Sequence, residues 1–270
     1  MRYTEEQLKN FCYPLSGAEQ EKCLEAMAVL LGEIRSLGYQ SRATIRGGRG
    51  GAADYSCELL GRGRLLVQLL GSYAANTNAD RSSRLTVLLQ SENKILAEEL
   101  YTGLCGRLNP SVSTQGNSLL LEGLTSKSLR VLIGYDQDGG TMLVGEKPEL
   151  VFPLQNLQEL QRKSRATDYQ FCKLVRIFKN ILQEMELKGK ASAICPVKLE
   201  YLLAALPDDD YRRFDTLSEK LLFVQLQAEA ALENEDDLQE PNGRKSLFPT
   251  EENRQKYLCY LQQLRNWLQD

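Results

Sequence analysis

The chain has 270 residues, of which 42% are hydrophobic and 26% are charged, and this balance is typical of a globular chain that buries one large core or two joined ones. Its 33 basic and 36 acidic residues leave a net charge of -3, so no whole-molecule field favours nucleic acid or an anionic membrane. The absence of histidine excludes Ser-His-Asp and Cys-His nucleophiles, histidine zinc ligands and an imidazole pH switch.

The terminus and the cysteines indicate the compartment. The opening MRYTEEQLKN has no apolar signal core, and no run approaches the roughly 18 apolar residues of a membrane span. The seven cysteines are scattered without a Cys-x-x-Cys pair, as is typical of reduced thiols. We therefore expect a cytoplasmic protein that does not bind a membrane.

The first element is a long helix, predicted over residues 16–37. Apolar side chains recur there at helical spacing, Ser16 and Glu19 fit a capping box, and Gly38 supplies a stop. Residues 42–64 then place arginines among glycines around a short predicted strand at 55–60. We interpret this segment as a hairpin beside the core, and the alternative, an arm that contacts nucleic acid, stays open.

The centre of the sequence has the order strand, Gly-Ser turn, strand. Two apolar runs, residues 64–70 and 85–90, flank the segment GSYAANTNADRSS. One helix and three more strands follow, at 94–108, 117–122, 129–135 and 140–144. These elements predict a mixed, twisted sheet with helices packed on it.

Helical periodicity takes over in the second half. Five helices are predicted there, at 154–163, 167–187, 196–206, 211–232 and 251–268. The acidic and then turn-rich ENEDDLQEPNGRKS indicates a solvated connector between the last two. We therefore divide the chain into a core with the long first helix, residues 1–150, and a helical domain, residues 151–270.

The segment QLLGSYAANTNADRSSRLTVLL resembles the Gly-Ser signature of the DNA polymerase β-like nucleotidyltransferases. It is most similar to the bacterial cGAS/DncV-like nucleotidyltransferases, which make cyclic oligonucleotide signals in anti-phage defence. The likeness continues through KSRATDYQFCKLVRIFKNILQEM and CPVKLEYLLAALPDDDY and covers nearly the whole chain. The resemblance implies an α+β, bilobed nucleotidyltransferase fold, with a mixed sheet core and a C-terminal helical lobe that closes a cleft over the Gly-Ser turn.

The chain departs from this family at the catalytic positions. The family's acid-x-acid pair aligns with Arg84 and Thr86, and its third acid aligns with Arg130, so we assign no catalytic residue. Carboxylates there hold divalent ions that polarise the phosphate, whereas a guanidinium is a permanent cation with no lone pair for a metal. We therefore expect no metal site and no magnesium cofactor.

The same replacements favour a phosphate ligand. Two guanidiniums about 6 Å apart repel each other by roughly 3 kcal/mol at an effective dielectric constant of about 20, so an anion between them is stabilising. We hypothesise that Arg84 and Arg130 clamp a nucleotide phosphate. Gly71 and Ser72 of the turn would assist through backbone N–H groups and the hydroxyl.

The resemblance also implies roles for three further residues. Lys173 or Lys179 would reach the phosphate from the helical domain, and Tyr73 would stack on a base. Structural interpretations stay open for each: a solvated basic helix face for the lysines, and a core tyrosine with one wet end.

Other outcomes are also open for the turn and the arginines. The turn can require Gly71 for its backbone freedom alone. Arg84 and Arg130 can face solvent or pair with Glu58 or Glu92. A rearranged metal site would have to use the remaining acids, Asp80, Asp136, Asp138 and residues 208–210.

The sequence therefore favours a catalytically inactive relative of the cyclic-oligonucleotide synthases, acting as a nucleotide-binding sensor or a regulatory partner in anti-phage signalling. Its expected partners are a nucleotide or oligonucleotide phosphate and a protein of the same system, and we do not expect it to bind nucleic acid. One alternative is an active synthase with rearranged acids. The other is a protein-interaction module with a collapsed cleft.

Overall fold

A computed structural model describes most of the chain, namely residues 1–14, 17–42, 56–78, 84–108, 112–123, 127–191, 194–234 and 237–269. The predicted capping residue Ser16, most of the Arg-Gly segment and Asp80 lie outside these residues. The chain forms two compact units. The sheet unit comprises Leu15–Asn76 and Ser82–Leu154, and the helical unit comprises Met1–Pro14, Thr77–Arg81 and Gln155–Asp270.

Helix α1 (Glu5–Cys12) opens the chain and packs in the helical unit. The elements of the sheet unit follow as α2 (Gly17–Ser36), β1 (Gln40–Arg42), β2 (Ser56–Leu60), β3 (Leu65–Leu70), α3 (Gly71–Ala74), β4 (Arg84–Ser91), α4 (Lys94–Leu108), β5 (Val112–Gln115), β6 (Ser118–Leu121), β7 (Ser128–Gln137), β8 (Gly140–Leu143) and β9 (Glu149–Val151). The later helices are α5 (Pro153–Ala166), α6 (Gln170–Leu187), α7 (Pro196–Ala205), α8 (Leu217–Asn234) and α9 (Glu251–Gln269).

The strands form one mixed sheet, as the sequence predicts. Its order is β1-β2-β3-β4-β7-β6-β5, and β8 continues from β7 to β9. The central pair, β4 and β7, is parallel, and the pairs around it are antiparallel. The fold is α+β and consists of a sheet unit and a helical unit.

The two faces of the central strands differ because side chains alternate along a strand. On one face, Leu85, Val87 and Leu89 of β4 are buried together with the odd-numbered positions 129, 131 and 133 of β7. Helix α4 packs on these strands and α2 packs on α4, so this is the core face. The even-numbered positions, which include the predicted site residues, lie on the opposite and more exposed face.

The helical unit is organised around α6, whose side chains Phe171, Val175, Phe178 and Ile181 are fully buried. Helix α1, which the sequence analysis did not predict, packs against α6 and α8. This packing is why Met1–Pro14 lie in the helical unit rather than in a core of residues 1–150. Among the described residues, no helix has both the length and the apolar character to cross a bilayer.

One predicted helix begins later than expected. Residues 211–232 were predicted to be helical, but α8 begins at Leu217. Asp208–Tyr211 instead form a 3₁₀ helix, and the Tyr211 hydroxyl, fully buried, donates to the carbonyl of Leu203. A buried hydroxyl needs a hydrogen-bond partner, and Tyr211 finds it on α7. Tyr211 is therefore held against α7 and does not form part of α8.

Candidate functional site

The Gly-Ser turn joins β3 directly to the short helix α3. Gly71 has a φ of +68°, a left-handed conformation that glycine adopts without strain. A Cβ atom on Gly71 would lie 3.7 Å from the Thr86 side chain on β4, and Leu70 is the register partner of Thr86. The turn therefore lies directly beside the position that aligns with the second family acid.

The structure brings the three positions that align with the family acids onto one face of the sheet. Thr86 is the register partner of Arg130 in the parallel β4–β7 pair, and Arg84 is two residues before Thr86. With strands about 4.8 Å apart and a rise of about 3.3 Å per residue, the Cα atoms of Arg84 and Arg130 lie about 8 Å apart. Arg84, Thr86, Arg130 and the Gly71 turn thus form a single cluster, which we call the arginine corner.

Both guanidiniums of the arginine corner extend towards β6. Arg84 Nη2 lies 3.6 Å from a carboxylate oxygen of Glu122, just after β6. Arg130 Nε donates a 3.2 Å hydrogen bond to Ser118 Oγ. Both arginines are exposed, so they keep donor capacity for a ligand.

The acidic partner differs from the two that the sequence analysis considered. Glu58 on β2 pairs with Arg64, which immediately precedes β3. The acid that contacts Arg84 is Glu122. Glu122 and Ser118 are therefore residues of the arginine corner that sequence reasoning missed. No local spacing indicates them, because the pairing of β6 with β7 brings them there.

The donors of the arginine corner do not fit a divalent cation. A guanidinium about 4 Å from Mg²⁺ would repel it by roughly 8 kcal/mol at an effective dielectric constant of about 20. Asp136 and Asp138 lie at the far end of β7, and six residues of strand place Asp136 about 20 Å from Arg130. Among the described residues, no group of three metal-ligating side chains is close enough to hold a metal ion.

Tyr73 is directed into the sheet unit. Its hydroxyl is hydrogen-bonded to the thiol of Cys23 on α2, and burial raises the pKa of Tyr73 to about 12. This position fits a core tyrosine with one polar end. Stacking of Tyr73 on a base stays a prediction.

Lys127 is a basic side chain of the sheet unit that the sequence analysis did not single out. It immediately precedes β7, is almost fully buried and forms an ion pair with Glu19 in the first turn of α2. The hydrogen bond from Lys127, together with one from Lys22, lowers the pKa of Glu19 to about 2. Lys127 thus anchors α2 to the central strand instead of facing the arginine corner.

Lys179 lies in a buried network of the helical unit. Its Nζ is 2.5 Å from Glu200 Oε2, and the other carboxylate oxygen of Glu200 accepts a 2.6 Å hydrogen bond from Thr77 Oγ1. The side chains of Lys179 and Glu200 are 5% and 2% exposed. The network ties α6 and α7 to the residues that follow the Gly-Ser turn, and the sequence analysis assigned no role to Glu200.

Lys173 and Lys179 occupy different faces of α6. Six positions on a helix of 3.6 residues per turn rotate a side chain by about 240°. Lys173 is half-buried and lies near Lys220 of α8 and Cys12 of α1. The structure therefore does not bring the two lysines to one phosphate.

Comparisons with known proteins agree with this architecture. Residues 158–269 match the family model of the cGAS/DncV-like nucleotidyltransferase C-terminal helical domain. The chain is 24% identical to the cyclic GMP-AMP synthase CdnE03 of Staphylococcus schleiferi, over all of this chain and 98% of that protein.

Solved structures share the fold. The Elizabethkingia meningoseptica CdnE cyclic dinucleotide synthase with GTP and Apcpp superposes with a TM-score of 0.75 at 19% identity, over 98% of this chain and 99% of that one. The E. coli MS115-1 CdnC in its complex with HORMA-deltaN superposes with a TM-score of 0.66 at 12% identity, over 99% and 91% of the two chains.

The mixed sheet, the strand-to-helix Gly-Ser turn and the helical unit define a bilobed nucleotidyltransferase fold. The helical unit matches the C-terminal domain of the cGAS/DncV-like nucleotidyltransferase family, and the similarity to a member of that family extends over the whole chain.

Proposed function

We propose that this chain is a catalytically inactive cGAS/DncV-like nucleotidyltransferase that binds a nucleotide phosphate without a metal ion. We further propose that it acts as a nucleotide sensor or regulatory partner in bacterial anti-phage cyclic-oligonucleotide signalling. The observation that carries the proposal is the arginine corner, in which Arg84, Thr86 and Arg130 share one face beside the Gly71 turn. These are the positions that align with the three family acids.

The chemistry of the arginine corner suits an anion. Glu122 pairs with Arg84 at 3.6 Å in a solvent-exposed contact, which is weak and is readily replaced by a more highly charged phosphate. Ser118 holds Arg130 by one nitrogen and leaves its other donors for ligand oxygens. Because the positive charge is fixed in the protein, phosphate binding needs no divalent counterion.

A regulatory role is supported by what relatives assemble with. The E. coli CdnC relative was solved as a complex with HORMA-deltaN, so this fold has a surface compatible with a protein partner in that protein. For this chain we propose a partner from the same signalling system. Co-purification from the native host tests this part. We expect a second protein to stay bound to the folded chain and to be released when the chain is unfolded.

The first experiment measures binding. ATP and GTP are titrated by calorimetry in EDTA and, separately, in Mg²⁺, with Arg84→Ala and Arg130→Ala as variants. Loss of a hydrogen bond to a charged group costs about 1.5–3 kcal/mol, so each variant should bind about tenfold or more weakly. Arg107→Ala removes an exposed guanidinium of α4 that pairs with Glu33 of α2. It is the matched control and should bind like the parent chain.

Two results would contradict this part. If EDTA abolished binding, a metal would be required and the arginine clamp would be wrong. If no nucleotide bound or raised the melting temperature, the chain would instead be an interaction protein without a nucleotide site.

A second candidate function is an active cyclic-oligonucleotide synthase with rearranged acids. It is favoured by the full-length similarity to a relative named as a cyclic GMP-AMP synthase. Incubation with radiolabelled nucleoside triphosphates, Mg²⁺ and Mn²⁺ separates the two. We expect no labelled oligonucleotide from the purified chain, and any such product that disappears on heat denaturation would establish the synthase instead.

A further inference from the structure

Two lysines of the helical unit lie together, and neither belongs to the arginine corner. Lys220 of α8 contacts Gln170 of α6, and Lys173 lies three residues after Gln170 on the same helix, so the two ammonium groups are near enough to repel each other. Lys220 is only 8% exposed, and its Nζ donates a 3.2 Å hydrogen bond to Gln170 Oε1. Within the part of the chain that the structure describes, neither ammonium has a carboxylate in ion-pair contact.

The surrounding groups do not neutralise this pair. Glu5 lies within electrostatic range of Lys220, but its carboxylate accepts hydrogen bonds from the backbone N–H groups of Leu217 and Ser218, at 3.1 and 2.7 Å. Asp215 is exposed and is not in contact with Lys220. Both acids therefore act on Lys220 only at a distance.

The nearest thiol does not compensate the charge of this pair. Burial raises the pKa of the Cys12 thiol, so the thiol stays neutral and supplies no counter-charge. Arg176, which is also buried, donates its Nε to the carbonyl of Cys12 at 2.6 Å. Lys173 and Lys220 are therefore the two ammonium groups that meet between α6 and α8.

Such an arrangement costs free energy unless an anion completes it. A buried charge is stable when it is paired, and a like charge beside it adds to the cost. Burial and the nearby Lys173 accordingly lower the pKa of Lys220. An incoming dianion would gain from both ammonium groups at once.

We propose that Lys173 and Lys220 form a second anion site that binds a phosphate group, with Gln170 holding the Lys220 ammonium in place. The site is distinct from the arginine corner and does not depend on the proposed function. Its ligand is either inorganic phosphate or the phosphate of a nucleotide, because both present the same oxygens to the two ammonium groups.

The test uses the double variant Arg84→Ala/Arg130→Ala as background, so that binding at the arginine corner does not contribute. Its melting temperature is measured in sodium phosphate and in sodium chloride of equal ionic strength. At a phosphate concentration 100 times the Kd, we expect the melting temperature to be roughly 5–10 °C higher in sodium phosphate than in sodium chloride. A parallel series with ATP distinguishes the two sources, since a rise with ATP only would identify a nucleotide phosphate.

Substitutions in the same background locate the effect. Lys220→Met should raise the melting temperature without ligand, because a buried cation is removed, and should abolish the response to phosphate. Lys173→Met changes a half-buried side chain that tolerates substitution, and it should weaken the response at least tenfold in Kd. Lys256→Met, an exposed lysine of α9, is the control and should respond like its parent.

Crystals grown with selenate, a phosphate analogue with an anomalous signal, locate the ion directly. We expect a selenium peak within hydrogen-bond distance of both ammonium groups. The proposal is overturned if the Lys173→Met and Lys220→Met variants respond to phosphate and ATP like their parent, or if selenate lies elsewhere. Either result leaves the arginine corner untouched, because nucleotide binding there is measured with Arg84→Ala and Arg130→Ala in the otherwise unchanged chain.

Discussion

The neighbours of each charged side chain decide what it can bind. Arg84 and Arg130 are exposed, and among the described residues they contact Glu122 and Ser118, so a ligand can reach their guanidiniums. Lys127 is also cationic, but it is buried against Glu19. Cations of the same unit therefore differ in role. Arg84 and Arg130 are accessible to a phosphate, whereas Lys127 stabilises the packing of α2.

Gly71 provides a test of the turn that is independent of any ligand. Gly71→Ala should destabilise the chain by about 1–2 kcal/mol, because an L-residue is strained at φ +68° even though a Cβ meets only ordinary contacts at 3.7 Å. Urea unfolding measures the loss. The control is Gly32→Ala in α2, where an added Cβ would meet no atom within 4 Å. It should stabilise the chain by about 0.5–1 kcal/mol. Equal effects of the two substitutions would show that the turn is not strained.

The Glu19–Lys127 pair predicts a pH dependence. Glu19 has a pKa lowered from 4.5 to about 2, so its stabilising effect is complete above about pH 4.5 and is lost as the pH falls through about 2. Glu19→Gln should cost about 1–3 kcal/mol at pH 7, since Lys127 is left without its partner, and this difference should shrink towards zero near pH 2.

Unfolding curves at several pH values check the sign. Glu98→Gln, which breaks an exposed pair with Lys94, is the matched control and should change the free energy of unfolding by less than about 1 kcal/mol at every pH. A loss in Glu19→Gln that stayed constant down to pH 2 would contradict the assignment.

At the level of secondary structure, pairing rather than local sequence builds the site. The parallel pairing of β4 with β7 places Thr86 opposite Arg130, and β6 on the other side of β7 brings Ser118 to Arg130. In the helical unit, α6 and α7 meet through Lys179 and Glu200, and Glu200 also holds Thr77. These contacts hold Thr77 within the helical unit.

The buried network supports a prediction about α6 and α7. Glu200→Gln should destabilise the chain by about 3–5 kcal/mol, because it removes the carboxylate that pairs with the buried Lys179 ammonium. Thr77→Val should cost about 1–3 kcal/mol through an unmade hydrogen bond. The double variant Lys179→Met/Glu200→Gln should lose less than the sum of its single variants, because the two residues interact.

Urea unfolding of the single and double variants completes this cycle. Glu159→Gln, which breaks an exposed pair with Arg162 on α5, serves as the control and should cost less than about 1 kcal/mol. Strict additivity of the Lys179 and Glu200 variants would mean that the buried ion pair contributes nothing to the unfolding free energy.

For the molecule as a whole, charge is local rather than global. The net charge is -3, yet positive groups are concentrated in the arginine corner and at Lys173 and Lys220. A small phosphate ligand interacts with such a cluster, whereas a duplex interacts with an extended surface. We therefore expect these two clusters to favour a compact anion over a DNA duplex.

This distribution predicts how the chain responds to DNA. A fluorescent 40-base-pair duplex should bind more weakly than about 10⁻⁴ M at 150 mM salt, measured by anisotropy, because a net charge of -3 gives no overall attraction to DNA. Binding that was tight and fell steeply with salt would contradict this. It would point to the arginines of residues 42–64 as a nucleic-acid contact.

The replacement of the three family acids stays a prediction from the motif alignment. The sequence by itself determined the fold class, the order of most helices and strands, and the resemblance to the family. It could do so because periodicity and motif spacing are local properties of the chain. Helix α1 and the late start of α8 were missed, since the first is held by packing on α6 and α8 and the second by the buried Tyr211. Only the tertiary structure decided which charges are available, because Glu122, Ser118 and Glu200 reach their partners from distant parts of the sequence. A guanidinium or ammonium binds a ligand or stabilises the fold according to those neighbours, and they are brought together by strand pairing and helix packing.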